Sequence, residues 1–455
     1  MSGLTAIHLG NVANNGYLNA KLLNARGWRC EVVSNDYTHV MGCPEWEDAD
    51  FNAEHLDEFK PDWSSAGLGE FLRPKWFVDG SFDACAARLG SRHGLPPRAA
   101  RSLAGRAWRR VACRAPWLGD LMGGRHPMFN AFRRRERHRV VGLVMAGSAF
   151  REALGLADLV IGYGTSGWIP RAAGVPYVAL EHGTIRHLPF ADSFEGRLCR
   201  DVYRAAAHVL ITNCDNDEAA RRLELASWSF VPHPVNEVDP SVHAAEVLRR
   251  SVCEKLACDF VVLHPPRQHW DPAVRHPDWE KGNDIFIRGF ADFVRRTGAR
   301  AGCVMVSWGQ SLDASRSLLA ELGVAERVAW IPIQPGLRLG EWMQASDVVA
   351  DQFWLGAFGS LTPKAMRLAR PVLLNLNEER HRWCFPELPP VLNSRTSAEV
   401  SANLEWCWRD RAAMREFGAS AAGWYRRHHS NDVIARAFQQ VHERLQERLS
   451  TGRVA

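Results

Sequence analysis

Phe260-Val261-Val262-Leu263-His264-Pro265-Pro266-Arg267 reads as a short apolar strand that ends in a loop carrying a guanidinium. Glu280-Lys281-Gly282-Asn283-Asp284 then leads into a helix-patterned run from Asp284 to Arg296. The pattern returns at Ser346-Asp347-Val348-Val349-Ala350-Asp351-Gln352-Phe353, a strand running into a loop. Gly356-Ala357-Phe358-Gly359-Ser360 follows, then a helix from about Thr362 to Leu368, then Pro371-Val372-Leu373-Leu374. Strands alternating with helices in this way predict an α/β fold whose parallel sheet is covered on both faces.

The same alternation extends in both directions. Further strands fit Cys303–Val306 and Val328–Ile331, with a helix at Ser315–Leu322 between them. At the other end of the chain, Ala6–Leu9, a helix from Tyr17 to Arg26 and Glu31–Val33 form one βαβ unit. Alternation resumes with a helix at Val140–Leu154 and strands at Leu159–Ile161, Tyr177–Leu180, Val209–Ile211 and Ser229–Val231. Pro232, Pro234 and Pro240 mark a boundary. The expected organisation is therefore a Rossmann-like domain over 1-240 with an irregular Arg/Trp-rich insertion at about 40-140. A second such domain follows over 241-430, and a helix over 431-455 packs back toward the first.

Chemistry concentrates where strands end. At the carboxyl end of a parallel strand, Arg267 and Lys281 would point into the crevice where such sheets bind ligands. A planar guanidinium and a compact ammonium together suit a diphosphate. Small residues at Gly356, Gly359 and Ser360 let backbone approach a ligand, and the following helix N-terminus favours an anion. Alone, an Arg and a Lys near a strand end are ordinary surface residues; the loop and helix that follow lift the reading above that.

These residues together resemble the family 4 glycosyltransferases, which have the two-Rossmann-domain GT-B fold with sheets facing across a cleft. The resemblance rests on Arg267, Lys281-Gly282, Phe358-Gly359, Ala365-Met366 and Pro371-Val372, with support from the loop around Gly10 and Gly16 and from His182-Gly183. It covers most of the chain except roughly residues 40 to 140. It implies retaining transfer of a sugar from a nucleotide-diphosphate sugar to a glycan or lipid-linked acceptor, without a metal or other cofactor, in polysaccharide or glycoconjugate assembly. By the same resemblance His182, Arg267 and Lys281 serve the reaction. Gly10, Gly16, Gly356, Phe358, Gly359, Ser360 and Lys364 serve the donor, and His182 contacts the donor sugar rather than acting as a base. Glu181 is either a support of the fold or an acceptor contact. Trp168 and Trp270 are aromatic faces that could stack on an acceptor sugar.

The sequence departs from that pattern at two positions. The family's paired glutamates align with Gly356 and Lys364, and an ammonium accepts no hydrogen bond from a ribose hydroxyl. Three readings stay open: the nucleotide is held differently, the donor carries an extra anionic group that Lys364 meets, or the domain no longer binds a donor. The last makes the chain a catalytically degenerate glycan- or partner-binding protein.

Other classes fit less well. Gly162-Tyr163-Gly164-Thr165-Ser166-Gly167 outlines a dinucleotide fingerprint, but Pro170 and Gly174 leave too little helix before the next strand for a nicotinamide or flavin enzyme. Histidine spacing matches no zinc enzyme. Eleven cysteines without a disulfide framework fit a reduced, cytoplasmic compartment, and no apolar run reaches the length of a membrane span. The chain's net charge is only +5, yet fourteen arginines fall between Arg88 and Arg139 against Asp120 and Glu136. That block is either a solvated insertion or a surface for an anionic membrane face; no nucleic-acid module signature accompanies it.

Overall fold

Two parallel sheets of seven and six strands organise the chain. The structure, a computed structural model, describes residues 3–34, 39–53, 56–95, 126–274 and 280–450. Contacts divide the chain into a first unit of Met1–Cys43, Leu72–Pro232 and Ile434–Ala455 and a second of Pro44–Phe71 and His233–Val433. The second unit thus takes a segment from the irregular insertion, and the first takes most of the last helix.

In the first unit the strands are β1 (Thr5–Leu9), β2 (Arg29–Ser34), β3 (Phe77–Asp79), β4 (Leu159–Tyr163), β5 (Val178–Glu181), β6 (His208–Ile211) and β7 (Trp228–Phe230). They lie in the order β3-β2-β1-β4-β5-β6-β7, with every neighbouring pair parallel. Strands β4 and β5 are buried along their whole length, as expected of a sheet covered on both faces. Ile434, Phe438 and Val441 of the helix Asn431–Ser450 join the core formed by Ala6, Tyr17, Ile161 and Leu180.

The run expected as one helix at Val140–Leu154 is two, Arg137–Gly147 and Arg151–Leu154. Gly147 closes the first of these and lies against the helix Trp168–Ala173, where a Cβ would come within 2.6 Å of the Ala172 Cβ.

The second unit carries β8 (Phe260–His264), β9 (Ala301–Val306), β10 (Val328–Ile331), β11 (Val348–Ala350), β12 (Val372–Leu374) and β13 (Leu392–Asn393). Their order is β10-β9-β8-β11-β12-β13, again all parallel, with Val348 opposite Val262 at the centre. The helix Asn283–Thr297 buries Phe286, Ile287, Phe290, Phe293 and Val294 against this sheet. Each such side chain contributes about 1.5–3 kcal/mol on burial. Left-handed Gly282 and Gly298 bound the helix, where a side chain would be strained.

Among the described residues no helix is long and apolar enough to cross a membrane. Residues 96–125, the centre of the arginine-rich block, lie outside the described residues, and with them half of the fourteen arginines on which the anionic-surface expectation rests. Of its flank, Arg133 pairs with Asp192 at 2.6 Å, and Arg139 pairs with Glu195 at 2.8 Å and lies over the Phe194 ring.

Candidate functional site

In a doubly wound sheet the ligand crevice lies beyond the carboxyl ends of the two strands between which the strand order reverses. In the second unit those strands are β8 and β11. Arg267 follows β8, and Gln352 to Ser360 follow β11. The backbone ties these loops to Lys281: its N–H donates to the His269 carbonyl at 2.8 Å, and its carbonyl accepts from Phe353 N–H at 2.7 Å. Beneath them His264 bonds the Ala350 carbonyl through Nδ1 and the Asn283 amide through Nε2, each at 3.0 Å, and Asn283 Oδ1 accepts from His269 N–H. Burial pushes the His264 pKa down to about 3, so this brace is neutral and serves the geometry of the loops.

The cations are each positioned. Lys281 Nζ donates to Gln352 Oε1 at 2.8 Å, and the Gln352 amide nitrogen donates in turn to the Ala357 carbonyl. The Arg267 guanidinium lies over the Trp308 ring, 4.4 Å from its centroid. Burial lowers its pKa from the usual value while the Glu58 carboxylate beside it opposes the shift. Glu58 Oε1 accepts from Arg267 at 3.3 Å and Oε2 accepts from the Trp308 indole N–H at 3.0 Å. Gly309 permits this packing, since a Cβ there would come 2.7 Å from Arg267 Cγ.

The loop after β11 divides into structural and open positions. Gly356 has φ +67° and its carbonyl accepts from Asn377 N–H, so its glycine is needed for the turn. Phe358 is buried and stacks on His381 and Phe385. A Cβ on Gly359 would meet nothing within 4 Å, and Ser360 beside it is exposed at the start of the helix Leu361–Arg367. Beneath this helix Thr362 donates to Asp351, whose carboxyl is pushed up by burial.

Lys364 is held by a carboxylate that the sequence reading did not pair with it. Its Nζ donates to both Glu47 oxygens, at 3.2 and 3.1 Å, and the side chains are 14% and 7% exposed. Glu47 belongs to the short helix Pro44–Asp48, whose backbone and Asp48 side chain are held by the Asn236 amide at 2.8 Å. The pair borders a cavity of about 170 Å³, also lined by Asp239, Ser241, Gly336 and Arg367. Sequence reasoning missed Glu47, Glu58 and Trp308. The available signal was the stretch from Pro44 to Glu58, rich in carboxylates and without a Lys or Arg.

Trp270 donates its indole N–H to Ser315 Oγ at 2.8 Å and packs against the second unit's core. Trp168 stacks on Phe82 in the first unit, centroids 5.3 Å apart.

The first unit has its own reversal of strand order, between β1 and β4. Gly10, with φ +94°, brings the loop after β1 against Ser166, where a Cβ would come 2.7 Å from the hydroxyl. Gly16 packs on the Gly10 carbonyl, which a Cβ would approach to 2.4 Å. Both glycines are thus accounted for by chain crossing. His182 after β5 is half-buried, its Nδ1 3.2 Å from the Asn15 amide, and burial followed by the Arg186 charge pushes its pKa to about 4. A neutral imidazole suits a hydroxyl partner. Glu181 is fully buried; its carboxyl accepts from Ile185 N–H at 3.1 Å and from Asn216, and burial pushes its pKa up to about 7. That carboxyl is used inside the unit.

No family model matches the chain. A D-inositol 3-phosphate glycosyltransferase of Nocardia farcinica is 36% identical over 99 residues, 20% of this chain and 22% of that protein. One of Rhodococcus opacus is 26% identical over 222 residues, 46% of this chain and 49% of the relative. The chain thus spans between about a fifth and a half of the length of the curated relatives it matches. Among solved structures, Anabaena Alr3699/HepE in complex with UDP and glucose superposes with a TM-score of 0.58 at 14% identity, over 98% of this chain and all of that one. Sucrose-phosphate synthase from Thermosynechococcus elongatus does so with a TM-score of 0.54 at 14% identity, over 98% and 99%. With its two parallel sheets and these likenesses, the chain has the GT-B fold and is similar to glycosyltransferases of the family 4 type.

Proposed function

We propose that the chain transfers a sugar from a nucleoside diphosphate sugar to a hydroxyl acceptor, with its second unit holding the donor diphosphate. The observation that carries this reading is the meeting of the Arg267, Lys281 and Gly359 loops where the second sheet reverses its strand order. As the bond between the anomeric carbon and the diphosphate oxygen breaks, the electron pair moves onto the phosphate. Arg267, Lys281 and the open backbone at Gly359-Ser360 are suited to receive that charge. The new bond forms from the acceptor oxygen to the anomeric carbon, and the proton of the acceptor hydroxyl passes to the departing diphosphate oxygen. His182, neutral at pH 7, is assigned to a sugar hydroxyl, and the Lys364–Glu47 pair takes the place of a lone carboxylate at position 364. The buried carboxylate already on the ammonium favours this over an extra donor anion at Lys364.

The Anabaena protein, also solved with UDP-glucose, and the relatives named for D-inositol 3-phosphate suggest the first substrates to try. Purified protein is expected to release nucleoside diphosphate from a UDP-sugar in the presence of a polyol phosphate, glycan or lipid-linked acceptor, and to keep that activity in EDTA. UDP binding without turnover across a broad donor and acceptor panel would favour the binding-protein reading. Absence of both overturns the proposal.

A further inference from the structure

The stretch from Pro44 to Glu58 comes from the first third of the chain, yet it packs within the second unit, and three of its carboxylates fall on that unit's cations. Glu47 takes Lys364, Asp50 takes Arg338 in a two-pronged contact at 2.6 and 3.0 Å, and Glu58 takes Arg267. The contacts differ in kind. The Glu47 end is anchored: Trp46 and Phe51 are buried, Phe51 meets Trp63 edge-on, and the ion pair is nearly closed to solvent. The Glu58 end is more open to solvent. Its contact to Arg267, at 3.3 Å, is longer than a strong charged hydrogen bond, both side chains are 23% exposed, and the next residue, Phe59, is 60% exposed. Asp57 presents Glu58 by accepting from the N–H groups of Phe59 and Lys60, each at 2.8 Å.

A carboxylate that accepts from a guanidinium through one oxygen and from an indole N–H through the other has the hydrogen-bonding chemistry of one phosphate face. We infer that Glu58 is an internal stand-in for a donor phosphate. It fills the anion position between Arg267 and Trp308 when the site is empty, and a nucleoside diphosphate must displace it. This rests on the proposed donor site. It adds that the anchored Glu47 end remains in place while the Glu58 end leaves, so that affinity for the diphosphate is set partly by competition within the chain. A competing partly exposed ion pair is worth about 0.4–1 kcal/mol. That converts to an affinity change of about two- to fivefold.

The test uses UDP as the probe and the full chain, by calorimetric titration. Glu58→Gln, which keeps the shape and removes the charge, is expected to tighten UDP binding about two- to fivefold, while Arg267→Ala weakens it. Hydrogen exchange adds a second readout, with faster exchange at residues 57–60 and unchanged exchange at residues 44–48 when UDP is present. Unchanged or weaker UDP binding in Glu58→Gln, with Arg267→Ala still weakening it, overturns the stand-in and leaves the donor site standing. UDP binding that ignores both substitutions removes the donor site itself. Slower exchange at residues 57–60 with UDP present would make Glu58 a residue that closes on the ligand, and would also overturn the inference.

Discussion

The two units share a topology, and each has a glycine-shaped loop cluster where its strand order reverses, but the two clusters differ in charge. In the first, burial holds His182 neutral, the Glu181 carboxyl is raised to about 7, and the Arg186 guanidinium is clamped by Asp215 at 2.6 and 2.9 Å. In the second, Lys281 rests on the neutral Gln352 amide, neutral His264 braces the loops, and Arg267 meets the Glu58 carboxylate at 3.3 Å. On the function proposed above, one framework serves hydroxyl-bearing ligands and the other an anion. The difference lies in which few side chains stand at the strand ends.

The contrast can be broken most forcefully at Lys364. Lys364→Glu sets two carboxylates together in a nearly closed site, and should destabilise the second unit by about 3–5 kcal/mol in denaturant unfolding. Lys364→Met with Glu47→Met should recover most of that loss; a fully stable Lys364→Glu protein would mean the pair is not formed in solution.

Glu181 tests the first unit's neutrality. Its folded pKa of about 7 lies above the 4.5 of a free glutamate, so its contribution is fully present below pH 4.5 and is lost as pH rises through 7. Above that pH the buried carboxylate costs about 3 kcal/mol. Glu181→Gln should therefore gain stability relative to the natural chain between pH 5 and pH 8; parallel stability curves would refute the raised pKa.

At the anion crevice, Arg267→Ala and Lys281→Ala should each weaken nucleoside diphosphate binding by about 1.5–3 kcal/mol, the worth of a charged hydrogen bond. Removing the first unit's Arg186 should not change that affinity. The smallest effect separates two glycines of one loop. Gly356→Ala forces a side chain into φ +67° beside Asn377 and should cost about 1–2 kcal/mol of stability. Gly359→Ala faces open space and should leave unfolding unchanged while impeding ligand approach.

Much of this arrangement was legible in the sequence. The strands at Phe260–His264, Val328–Ile331, Val348–Ala350 and Val372–Leu374 are apolar runs long enough to announce themselves. The two-residue β13 and the three-residue β3 are not, because edge strands that short are made by pairing with a neighbour and carry no periodicity. Likewise the need for a glycine at 147 comes from Ala172, a residue of another helix. In the proposed site, Arg267, Lys281 and Gly359 were marked by strand ends, loop composition and the family 4 resemblance together. Trp308 could not, since a tryptophan after β9 reads as one of eighteen until the guanidinium is seen over its ring.

What the sequence by itself determined is local: alternation of strand and helix, the glycines where backbone turns or crosses, and cations at the ends of particular strands. These follow from steric and periodic rules that act over a few residues. What only the tertiary structure decided is the partner of each charge. Lys364 looked like a lost carboxylate, and it is one half of an ion pair whose other half stands 317 residues away. Glu58 meets Arg267 across 209 residues. No propensity or spacing rule reaches that far, because such a pairing is set by how segments pack and not by what their neighbours in the chain prefer.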